Sequence, residues 1–198
     1  MDAGALVMPR HPAAVPETAS PVSNTRLAMI VVIAAASMLF AGLIGGYLVF
    51  RLSAPSWPPP DLPRLPLGLT SLNTVILLWS VLPMTRALRA VRQAPPAPVV
   101  PALQRTALAG AFFLAVQGVE WARLVGHGLT LASGPYGATF YVLIGCHALH
   151  VLVAVTWLGV TVLRARRGVS QAALEMCALY WYFVCALWVI LFTLVYLY

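Results

Sequence analysis

Two histidines, His147 and His150, stand one helical turn apart inside the apolar run YGATFYVLIGCHALHV (residues 136–151). At that spacing both rings share one face of a helix. Imidazoles so placed could ligate a metal or a haem, or satisfy polar groups inside a bundle. A zinc-type site needs three or four ligands, and an axial haem ligand needs an open pocket. The other two histidines are His11, near the N-terminus, and His127, in a short polar connection. Counting partners therefore favours a structural role for His147 and His150. Gln117 and Glu120 form a second polar pair one turn apart, followed by Trp121 and Arg123. The carboxyl can snorkel to an interface and meet Arg123, or stay buried and order the bundle by hydrogen bonds. Together Gln117, Glu120, His147 and His150 are the candidate buried polar network.

A third group lies around residue 170. Glu175 opens an apolar run just after Arg164, Arg166 and Arg167. A carboxylate early in a helix suits the positive end of its dipole. The three arginines could hold a lipid phosphate, or simply mark a cytoplasmic end. Tyr180, Trp181, Tyr182 and Trp188 make the following run unusually aromatic, for packing, helix contact or a wall against lipid tails. There is no phosphate-cradling glycine loop, nucleophile elbow, Cys/His metal motif or catalytic carboxylate pair. The chain reads as lacking a catalytic centre of its own, with no cofactor or metal bound.

The elements that must position these groups are membrane spans. Of 198 residues, 61% are hydrophobic and 9% charged, whereas a soluble domain carries about 25% charged residues. At about 20 residues per span, the length allows at most about six or seven helices. Five apolar segments are expected at about 27–50, 67–88, 102–125, 136–163 and 173–198. They form one transmembrane domain over 26–198, preceded by a flexible cytoplasmic tail at 1–25 rich in Pro, Ala and Ser. That tail lacks the apolar core of a cleaved leader. Prolines break the chain in SAPSWPPPDLPR and RQAPPAPVVP, and Pro83 is expected to kink or shorten the second span. Gly42, Gly45 and Gly46 suggest close helix contact in the first span. Tyr196 and Tyr198 suggest an interfacial aromatic belt. Cys146, Cys177 and Cys185 all lie in apolar runs and read as small buried hydrophobes.

The net charge of +7 comes from arginines alone. Nine of them (10, 26, 86, 89, 92, 105, 164, 166, 167) fall on one side of the five spans and three (51, 64, 123) on the other. The positive-inside rule then puts the N-terminus in the cytoplasm and the C-terminus outside. It also accounts for the charge without a nucleic-acid partner. No internal repeat or inverted symmetry is visible, which argues against a secondary transporter.

These residues bring a family into view. The chain resembles subunit III of the haem–copper oxidases, the cytochrome c and quinol oxidases, in its short five-helix bacterial form. The pattern Y-G-S-x-F-[FY] … G-x-H-G-L-H-V is met by Tyr136-Gly137-Ala138-Thr139-Phe140-Tyr141 and Gly145-Cys146-His147-Ala148-Leu149-His150-Val151. Q-x-x-E-[YW] is met by Gln117, Glu120 and Trp121, and the last-span pattern by Glu175, Tyr180, Trp181, Phe183, Val184 and Trp188. Trp57-Pro58-Pro59-Pro60 and Leu72-Asn73-Thr74 are similar to the first loop and second span of bacterial members.

The resemblance implies a non-catalytic subunit of an aerobic respiratory oxidase in the bacterial inner membrane, with cytochrome c oxidase favoured. It implies packing on the catalytic subunit I, with haem and copper held by partner subunits. It further implies structural phospholipids and support of proton uptake. Arg164 falls on the family's lipid-phosphate arginine, and Trp181 and Glu175 complete the expected lipid site. Three positions depart from the pattern: Tyr182 stands for a histidine, Cys185 for an aspartate and Ala36 for a glutamate. They point to a divergent branch, within a larger respiratory supercomplex. The alternatives are a subunit-III-like accessory protein of a nitric oxide reductase, an independent haem-binding membrane protein and a free-standing transporter.

Overall fold

A backbone in hydrocarbon must satisfy its polar groups internally, and apolar segments of this length do so as helices. The computed structural model describes residues 24–60, 62–93, 99–168 and 170–198. All regular structure among them is helical: α1 (Asn24–Ser53), α2 (Leu67–Trp79), α3 (Val81–Val91), α4 (Val100–Gly126), α5 (Gly134–Ala165) and α6 (Gln171–Phe192), which runs into a π-turn at Thr193–Leu197. With α2 and α3 taken as one broken rod, five helices are long and apolar enough to cross a membrane. The segment read as a tail falls, up to residue 23, outside the described residues.

α4, α5 and α6 form the centre of the bundle. α5 packs on α4, α6 and α1, while the α2–α3 rod packs on α4 and α6. α1 is peripheral, burying only Ala36, Phe40 and Tyr47 of its thirty residues. Tyr47 ties it to the last span by donating its hydroxyl to the Leu194 carbonyl at 3.0 Å.

The second span breaks at Ser80, three residues before the proline. Pro83 has no N–H to offer the carbonyl one turn back, at Trp79, so the ladder fails there. As the third residue of α3, Pro83 is itself tolerated in a first turn. At this junction α6 and α4 anchor Ser80. Trp181 Nε1 donates to Ser80 Oγ at 3.0 Å, and the Ser80 hydroxyl turns back to the Leu77 carbonyl. Thr106 of α4 reaches the Ser80 carbonyl at 3.5 Å.

This arrangement explains Gly110. A Cβ there would lie 2.5 Å from the Trp181 ring and 2.7 Å from Val155. The glycines expected at a helix contact behave differently: Gly42, Gly45 and Gly46 are exposed, and added Cβ atoms would meet nothing within 4 Å. The close approach between helices is at Gly110. Gly137 also needs its missing side chain, because a Cβ would collide with the Thr130 carbonyl oxygen in the α4–α5 connection.

Candidate functional site

Glu120 lies on α4 with no exposed surface. Its two oxygens face different elements. Thr70 of α2 lies 2.8 Å from Oε2, and the Tyr196 hydroxyl donates to Oε1 at 2.9 Å. Gln117, one turn before Glu120, donates Nε2 to the Tyr196 oxygen at 3.4 Å. The cluster therefore joins the second span, the third and the C-terminal turn. Tyr196 is not the interfacial aromatic that its position suggests: it is 7% exposed and spends its hydroxyl on a buried carboxyl. Thr70 and Tyr196 carry no motif, and nothing in their spacing marks them as partners of Glu120. Asn73 is a neighbouring polar anchor, donating Nδ2 to the Phe113 carbonyl at 3.0 Å.

The histidines do not join this network. His147 is fully buried, its ring stacked on Trp188 at 5.1 Å and 28°. Phe40 and Phe113 present their edges at 6.4 Å each. Neither ring nitrogen has a hydrogen-bond partner among the described residues. The Trp188 N–H is directed elsewhere, to Thr74 Oγ1 at 2.9 Å. His150 bonds within its own helix, Nδ1 to the Cys146 carbonyl at 2.8 Å, with Phe40 against its ring at 5.2 Å. The expected four-residue network is thus divided: Gln117 and Glu120 belong to one cluster, and the histidines to an aromatic enclosure. Aromatic rings from α1, α4 and α6 enclose His147. Among the described residues no three His, Cys, Asp or Glu side chains are placed to hold a metal ion.

The residues expected at a lipid site also part company. Arg164 is exposed at the end of a groove of about 610 Å³, walled by Leu152, Thr156, Trp157, Val160 and Ala173. Trp181 does not face lipid. It is fully buried, held by the Ser80 bond and by the space Gly110 leaves. Glu175 pairs with Arg92 of the second span at 2.7 Å and with Gln171 at 2.8 Å, rather than with the 164–167 arginines. The three departures are absorbed locally. Tyr182 OH and Thr85 Oγ1 share a hydrogen bond at 3.0 Å. Cys185 is buried 4.0 Å from the Leu77 carbonyl, and Ala36 is buried on α1.

A five-span helical bundle, pinned by one buried carboxyl cluster and by aromatic contacts around a histidine, defines the class: a polytopic integral membrane protein. The model of the family "Cytochrome c oxidase subunit III" matches residues 15–198, and the chain belongs to that family. A Synechocystis protein named cytochrome c oxidase subunit 3 is 34% identical over 174 residues, covering 85% of this chain and 73% of that protein. A Rickettsia bellii protein named probable cytochrome c oxidase subunit 3 is 33% identical over 164 residues, with 79% and 57% covered. One from Oncorhynchus mykiss is 34% identical over 145 residues, with 71% and 54% covered. The chain thus spans about three quarters of the first relative and little over half of the other two.

Proposed function

We propose that this chain is a non-catalytic subunit of a bacterial aerobic cytochrome c oxidase, packed on the haem–copper subunit in the inner membrane. The observation that carries the reading is the family match across nearly all of the chain. The aromatic packing of His147 supports it against an independent haem protein. The arginine distribution supports a cytoplasmic N-terminus and an outer C-terminus. In that orientation Arg164 stands at the cytoplasmic end of its groove, where a guanidinium suits a lipid phosphate and the apolar walls suit an acyl chain. Lipid held there, together with a rigid buried bundle, supports the catalytic subunit's stability and proton uptake.

A tagged chain purified in mild detergent should bring down a haem-bearing subunit at fixed stoichiometry. A Soret band that stays with the chain after that subunit is removed would overturn the reading. So would purification of the chain with no haem-bearing partner. Arg164→Ala should lower the phospholipid retained by the complex, measured by mass spectrometry; unchanged lipid content would remove Arg164 from the site.

A further inference from the structure

Proton counting at Glu120 carries an inference that stands on this chain's own geometry. Thr70 Oγ1 lies 2.8 Å from Glu120 Oε2 and also 2.8 Å from the Pro66 carbonyl oxygen. A hydroxyl has one hydrogen to give, and both neighbours of this one are acceptors if the carboxyl is ionised. With a proton on Oε2, every contact has a donor. Glu120 donates to Thr70, Thr70 donates to Pro66, and Tyr196 donates to Oε1. Among the described residues no cation bonds to either carboxyl oxygen. The groups around the carboxyl are Thr70 from α2, Gln117 from its own helix and Tyr196 from the C-terminal turn. None of the three carries a positive charge.

Glu120 is fully buried, yet it borders a cavity. A cavity of about 220 Å³ is lined by Glu120 together with Pro66, Leu69 and Leu124, and also by Arg64, Arg123 and His127. Those last three are exposed, at the end of the bundle that carries the 54–66 and 127–133 connections. Pro66 therefore both lines the cavity and accepts the far end of the donor chain. An ionisable group inside a membrane bundle marks a functional site by default, and this one lines a cavity that exposed residues also line.

We propose that Glu120 is a protonated, proton-exchanging carboxyl, served through this cavity from the end of the bundle bearing Arg64, Arg123 and His127. On release, the Oε2–H bond breaks and the proton passes to water in the cavity. The Thr70 hydroxyl then rotates its hydrogen from the Pro66 carbonyl to the carboxylate left behind. Uptake reverses both movements, so Thr70 acts as the positioning residue.

Infrared spectra of the purified complex in water and in D2O test this. Glu120→Gln should remove one protonated-carboxyl C=O band, and in the unsubstituted protein that band should shift within minutes of transfer to D2O. Thr70→Val should move the band to higher frequency by removing its acceptor, whereas Thr70→Ser should leave it in place. Leu69→Trp, which fills the cavity, should slow the deuterium shift several-fold. Loss of a carboxylate band in Glu120→Gln, or a C=O band indifferent to Thr70→Val, would overturn the protonated state. A shift rate unchanged in Leu69→Trp would overturn the route. If Glu120→Gln fails to assemble, the Thr70 and Leu69 variants read the same band with Glu120 in place.

Discussion

The three α1 glycines and Gly110 look alike in the sequence, but the structure makes them opposites. At Gly110 a single methyl meets the ring of a buried tryptophan and a valine within 2.7 Å. Overpacking of that kind costs about 1–3 kcal/mol, so Gly110→Ala should lower the melting temperature of the purified protein measurably. Gly45→Ala meets nothing within 4 Å and replaces a mid-helix glycine, a change worth up to about 1 kcal/mol in the favourable direction. Its melting temperature should be equal or higher. A matching loss in both variants would mean that helix flexibility, not contact, decides these positions. Glu175 calls for a smaller expectation. Its partner side chain, Arg92, is 58% exposed and its own 32%, and such exposed pairs contribute little to stability. Glu175→Gln should leave thermal stability within a degree or two.

At the scale of the elements, the break at Ser80 is the feature that needs support from elsewhere. An interhelical hydrogen bond in a membrane averages about 0.6 kcal/mol and reaches about 1.7. Ser80→Ala should therefore destabilise by roughly that amount, less than Gly110→Ala, because filling the Trp181 pocket displaces a whole ring. Chemical denaturation of the two variants side by side checks the order; Ser80→Ala as the more damaging change would mean the hydroxyl, not the packing, holds the junction. Helix ends were legible in the sequence: the spans expected at 67–88 and 136–163 are observed at Leu67–Val91 and Gly134–Ala165, since length and hydropathy set them. Helix faces were not. In a soluble bundle polarity separates inside from outside, but here Leu39 and Leu77 are equally apolar, one 48% exposed and the other buried. That is why Trp181 could be taken for a lipid wall and Tyr196 for an interfacial ring. Glu120 announced that it needed partners, because a carboxyl in hydrocarbon must have them. Which partners depended on how α2 and the C-terminal turn came together. The proline marked the broken span, but the break itself lies at Ser80, whose hydroxyl takes the Trp181 N–H.

At the scale of the whole molecule, the charge asymmetry is testable without a structure. A reporter active only outside the cytoplasm should be active when fused after residue 198 and silent when fused in the connection between α3 and α4. The reverse pattern would invert the orientation proposed from the arginines, and with it the leaflet assigned to the Arg164 groove. Of the five spans, α1 buries the fewest residues, three.

The junction at Ser80 also has a consequence for how the protein is made. The tryptophan that satisfies it lies 101 positions further along the chain. At about 5–20 residues per second, the second span leaves the ribosome about 5–20 s before its partner exists. During that interval the Ser80 hydroxyl has only the Leu77 carbonyl to turn to, and the Ser80 carbonyl gains Thr106 once α4 is made. Until the last helix arrives, the nascent protein therefore carries one exposed weak joint in the bilayer. That joint is where a membrane chaperone or a quality-control protease would find an unfinished copy.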